Sequence, residues 1–120
     1  MKQHDPAFVR ITAQARERIA ELSVDEVRQQ LQGADAPLLI DVREDHEWDK
    51  GHIEGATHLG KGIIERDIAK VTTHTAQPMV LYCGGGYRSA LAADALQQMG
   101  YTAVYSMAGG YRAWRADSND

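Results

Sequence analysis

The run Met79-Val80-Leu81-Tyr82 ends on Cys83-Gly84-Gly85-Gly86-Tyr87-Arg88-Ser89 and passes straight into a helical pattern. A short apolar run after Pro78 reads as a strand buried on both faces. Ala92, Ala95, Leu96 and Met99 then recur at helical spacing, and Gly100 stops the helix. A buried strand, a tight glycine turn and a helix in direct succession constrain the chain. They call for a layered α/β fold with a mostly parallel sheet whose helices cross over between the strands.

The rest of the chain fits that scheme. Pro6 to Arg16 places Phe8, Ile11 and Ala15 at helical spacing, with Asp5 as cap and Pro6 in the first turn. A short strand is expected at Ile19 to Leu22. Ser23 and Glu26 form a capping-box pattern for a helix through Val27 and Leu31 that stops at Gly33. Leu38 to Val42 reads as a second buried strand, and Arg43 to Trp48 as a short helix. Gly51 and Gly55 bracket a turn. Ile63 to Val71 holds another short helix, and Thr72 to Gln77 is a loop. Ala103 to Tyr105 is a further strand, Gly109-Gly110 a turn, and a last helix carries Trp114.

The chemistry gathers at the glycine loop. In parallel α/β proteins, ligands bind outside the carboxyl ends of the strands. The helix beyond the loop points unpaired N–H groups back toward it. Three consecutive glycines permit a tight curl, including positive φ, and inward N–H groups then form an anion nest. Cys83 stands at its base. The helix N-terminus and Arg88 both favour the thiolate, the nucleophilic form. The alternative is structural: a glycine-rich connection with a cysteine that only fills the core.

Size and charge narrow the function. The 120 residues fit one domain, with a core large enough to need no metal or disulfide. A net charge of −4 disfavours nucleic acid and anionic membrane as partners. No apolar run reaches the length of a membrane span, and charged residues interrupt the first 18 positions where a signal peptide would need an apolar core. The expected location is the cytoplasm. Cys83 is the single cysteine, so an internal disulfide is ruled out and a lone thiol is a poor start for a cysteine-based metal site. His46, His58 and His74 show no ligand spacing, and no metal is expected.

Four segments in order resemble the rhodanese family: Asp41-Val42-Arg43-Glu44, Gly51-His52-Ile53-Glu54-Gly55-Ala56, Cys83 to Ser89, and Gly109-Gly110-Tyr111-Arg112-Ala113-Trp114. The resemblance implies a rhodanese-like sandwich, with a central, mostly parallel sheet of about five short strands flanked by helices. It divides the chain into a helical extension (1–17), the rhodanese-like domain (18–116) and a polar tail (117–120). It also implies a thiosulfate sulfurtransferase with no cofactor. Cys83 would take the outer sulfur of thiosulfate or a persulfide donor and pass it to cyanide or a thiol. Gly84, Gly85, Gly86, Tyr87, Arg88 and Ser89 would bind the anionic sulfur, with Arg88 orienting the donor. Asp41 and Arg43 would lie near the loop in a structural ion pair, and His52 would hold a turn. Trp48 and Trp114 are expected to pack. Many relatives carry a second basic residue in the loop; here Arg88 is its only charge.

Two other functions compete. Tyrosine phosphatases also close a cysteine loop with arginine, but with five intervening residues and a preceding histidine. This loop has four and Tyr82, and the shorter ring suits a single sulfur atom. Rhodanese-like binding modules often lack the cysteine, which is kept here. A sulfur relay, taking persulfide from a partner protein, shares the same chemistry. With one cysteine, the chain has no internal thiol to resolve a persulfide, so turnover needs an external acceptor.

Overall fold

The structure, a computed structural model, describes residues 3–117. Five strands, β1 (Ala20–Leu22), β2 (Leu38–Asp41), β3 (Thr57–His58), β4 (Met79–Tyr82) and β5 (Val104–Met107), form one sheet in the order β1-β5-β4-β2-β3. Every pairing is parallel. The helices are α1 (Pro6–Arg16), α2 (Val24–Leu31), α3 (Asp45–Asp49), α4 (Ile64–Asp67), α5 (Tyr87–Gln98) and α6 (Gly110–Asp117).

Alternation along the central strands sorts the core into two layers. Met79, Leu81 and Cys83 point to the layer that holds Ala92, Ala93 and Leu96 of α5 and Ile64 of α4. Val80 and Tyr82 point to the other, with Val24 and Val27 of α2 and Trp114 of α6. Met79, Val80 and Leu81 are fully buried, and each such side chain contributes about 1.5–3 kcal/mol. This period of two carries Cys83 to the α5 side, where α5 begins.

Local signals read from the sequence are realised. Asp5 accepts from the Ala7 amide at 3.2 Å. Ser23 and Glu26 close a reciprocal box at 3.1 and 2.8 Å. The expected helix at 63–71 is broken up: α4 is flanked by tighter turns at Lys61–Ile63 and Ile68–Lys70. The strand β3 was not legible, because two residues carry no periodicity. It is held by tertiary pairing, and just beyond it the Leu59 amide donates to the Asp41 carbonyl at 2.9 Å.

Two helical stripes differ from expectation. In α1, Thr12 and Ala15 are buried, Phe8 is half-buried, and Ile11 is 44% exposed. This helix packs on α5 with one narrow face, and small side chains allow the close approach. In α5, Ser89, Ala90, Ala92, Ala93 and Leu96 are buried, but Met99 caps the helix and is 47% exposed. The helix ends there, so the stripe has no neighbour left to cover its last member. Positions 118–120 of the expected polar tail lie outside the described residues.

Candidate active site

Gly86 is the N-cap of α5 and has φ +97. A side chain there would be strained, and a Cβ would stand 3.1 Å from the Gly109 amide. This turn directs the loop amides inward. The Gly86 N–H donates to Cys83 Sγ at 3.0 Å and the Ser89 N–H at 3.4 Å. Ser89 Oγ lies 3.5 Å from the sulfur and 2.8 Å from Ser106 Oγ on β5. The sulfur thus rests in a nest of donors, and negative charge on it is met by fixed dipoles.

The outer side of the loop is fixed by α6. The Tyr111 amide donates to the Cys83 carbonyl at 2.7 Å, and the Arg112 amide to the Gly84 carbonyl at 3.1 Å. Gly110 has φ +63, and a Cβ on it would collide with the Cys83 carbonyl and stand 2.7 Å from Gly84 backbone atoms. The Cys83 and Gly84 carbonyls therefore face the α6 N-terminus while the Gly86 and Ser89 amides face the sulfur. This orientation follows from satisfying both sets of backbone groups.

Above the sulfur lies a cavity of about 440 Å³. Cys83, 1% exposed, lines it together with Gly84, Gly85, Tyr87 and Arg88. Gly86 and Ser89 do not line it; they act from beneath, through their bonds to Sγ. The Arg88 guanidinium is gripped by Glu47 of α3, with Nη1 to Oε1 at 2.7 Å and Nη2 to Oε2 at 3.0 Å. This pairing holds the Glu47 carboxyl down at about 2, against burial, and the Glu44 amide reinforces it at 2.9 Å. The same contact raises Arg88 above its ordinary value.

Asp41 and Arg43 form a buried pair beside the cavity rather than in its lining. Arg43 Nη2 donates to Asp41 Oδ2 at 2.8 Å and to the Gly51 carbonyl at 2.7 Å. Its guanidinium stands 4.3 Å from the Tyr111 ring centre. Arg43 therefore ties the strand end to the glycine turn and to α6. His52 is exposed and flat against Trp48, ring centres 3.4 Å apart, with Nδ1 3.1 Å from the Trp48 carbonyl. It lines neither this cavity nor the neighbouring one, which is bordered by Arg43, His46 and His58. No set of three metal-ligating side chains converges among the described residues.

Several lining residues were not assigned to the site from the sequence: His4, Phe8, Glu44, His46, Glu47 and Arg112. Glu47 and Arg112 fall within or next to the quoted motifs, so their proximity to the loop was the available signal. His4 and Phe8 offered none, since only the packing of α1 on α5 brings them there.

Fold and site together define a single-sheet α/β protein with a cysteine in an amide-lined loop at a strand end. The rhodanese-like domain model matches residues 23–117, and the chain belongs to that family. It is 38% identical over 76 residues to the uncharacterized protein YqhL of Bacillus subtilis, spanning 63% of this chain and 59% of that one. It is 33% identical over 78 residues to the thiosulfate sulfurtransferase GlpE of Stutzerimonas stutzeri, spanning 65% and 70%. A solved structure from Rhodopseudomonas palustris, described as a protein of unknown function and possible tyrosine phosphatase, superposes with a TM-score of 0.81. It is 27% identical and spans 100% of this chain and 98% of its own. No helix among the described residues is long and apolar enough to cross a membrane.

Proposed function

We propose that this protein is a sulfurtransferase working through a persulfide on Cys83. The observation that carries the reading is the pair of amides, Gly86 and Ser89, aimed at Sγ at 3.0 and 3.4 Å at the floor of an open cavity. The Cys83 thiolate attacks the outer sulfur of thiosulfate or a similar donor. The donor's S–S bond breaks, and its electron pair leaves with sulfite. The loop amides stabilise the persulfide anion as an oxyanion hole stabilises oxygen. Cyanide or an external thiol then takes the outer sulfur and restores the thiolate. The likeness to a named thiosulfate sulfurtransferase supports this class.

Phosphatase chemistry, named for the Rhodopseudomonas palustris neighbour, is disfavoured by the loop. Four residues separate Cys83 from Arg88, and the guanidinium that would hold a phosphoryl group is occupied by Glu47. A relay variant, with a partner protein as donor or acceptor, uses the same persulfide and the same need for an external acceptor, because this sequence carries no second cysteine to resolve it. In this reading the protein works in the cytoplasm, with neither nucleic acid nor membrane as partner.

Intact-protein mass after incubation with thiosulfate tests the reading, beside Cys83→Ser. A gain of one sulfur on the parent alone, reversed by a reducing thiol, is expected. No gain from thiosulfate or from a persulfide donor would sink it.

A further inference from the structure

Helix α1 precedes the stretch that matches the family model, yet it forms one wall of the Cys83 cavity. His4 and Phe8 line the cavity beside Tyr87 of the loop. The Phe8 and Tyr87 rings are nearly parallel, at 18° and 5.8 Å, and His4 lies 4.5 Å from Tyr87 and 5.4 Å from Phe8. The wall is fastened to the loop itself. Arg16, in the last turn of α1, donates to the Gly86 carbonyl at 3.0 Å and stands 4.8 Å over the Tyr87 ring.

Size and charge say what such a wall is for. Thiosulfate, with two sulfurs and three oxygens, fills on the order of 150 Å³ at the ~30 Å³ share of a water per heavy atom. The cavity is about 440 Å³, so thiosulfate leaves most of it empty. Glu44 and Glu47 line it against Arg88 and Arg112, a balance that favours a monoanion over a dianion. Arg88 is engaged by Glu47, whereas Arg112 has no carboxylate partner among the described residues.

We propose that α1 makes this site selective for organic sulfane-sulfur donors. The monoanionic head faces Arg112, and a flat apolar body lies against His4, Phe8 and Tyr87. The inference rests on the persulfide reading and names its donor class. With an aryl thiosulfonate, the Cys83 thiolate bonds to the outer sulfur, the S–S bond breaks, and the electron pair leaves with the aryl sulfinate.

Two donors with the same head test it: benzenethiosulfonate and methanethiosulfonate, with cyanide as acceptor and the whole chain as enzyme. The ratio of their kcat/KM values isolates the ring. We expect the parent to favour the aromatic donor, and Phe8→Ala to lower the ratio about three- to tenfold, the size of one aromatic contact. His4→Ala, placed before the helix, lowers it in the same direction and covers the case in which Phe8→Ala fails to fold. A ratio near unity in the parent, or one unchanged in both variants, overturns the inference while leaving sulfur transfer standing. Failure of both donors on a protein that thiosulfate or a persulfide donor does load overturns this inference alone; failure of every donor to load Cys83 removes sulfur transfer itself, and this inference with it.

Discussion

Glu47 and Arg88 meet in a two-pronged ion pair, 2.7 and 3.0 Å long, in the lining of the cavity that holds Cys83. The two residues stand 41 positions apart, one on α3 and one in the first turn of α5. The pair holds the loop's single cation in place and at the same time neutralises it.

Replacing Glu47 by Gln should therefore release positive charge into the site. With both side chains under a third exposed, freeing Arg88 is expected to contribute about 1 kcal/mol to dianion binding, or about fivefold in KM for thiosulfate. Steady-state kinetics in Glu47→Gln decide the sign. A higher KM would mean that Glu47 serves chiefly to position Arg88.

The same pair sets a pH dependence. The Glu47 carboxyl falls from 4.5 to about 2 on folding, because Arg88 binds its charged form. A depressed carboxyl lends stability that is complete above its unfolded value and lost as pH drops toward the folded one. Urea midpoints measured between about pH 5 and about pH 3 should fall more steeply in the parent than in Glu47→Gln. Parallel curves would show that the pair adds nothing to stability.

Gly110→Ala should damage the site through backbone alone. The new methyl would meet the Cys83 carbonyl and Gly84, at a residue with φ +63. A loss of at least about 2 kcal/mol, or roughly 8 °C in Tm, is expected, together with slower persulfide loading. Gly100→Ala is the contrast: φ is +105, but no atom lies within 4 Å of the added methyl. It should cost stability through φ alone and leave loading intact. Equal loading in both variants would detach α6 from the loop's function.

Asp41→Ala should be among the most destabilising single changes. Asp41 is fully buried and Arg43 nearly so, and the aspartate takes the Arg43 backbone amide as well as its guanidinium. Removing one partner strands the other charge, which costs about 3–5 kcal/mol. A shift in the urea unfolding midpoint measures it. A change below about 1 kcal/mol would mean that Arg43 finds enough compensation in Gly51 and the Tyr111 ring.

What the sequence determined by itself was local and periodic. The Ser23 box, the buried runs at Leu38 and Met79, the helix after the glycine loop and the position of Cys83 follow from neighbours a few residues apart. Tertiary structure decided the rest. It placed Glu47 on Arg88, set the amides of Tyr111 and Arg112 on the loop carbonyls, and paired the two residues of β3 with β2. It also turned Ile11 and Met99 outward and brought His4 and Phe8 to the cavity. Periodicity fixes which side of an element is apolar, but not which other element will cover it. That choice belongs to the packing of α1 on α5 and of α6 against the loop, where residues far apart in the chain first become neighbours.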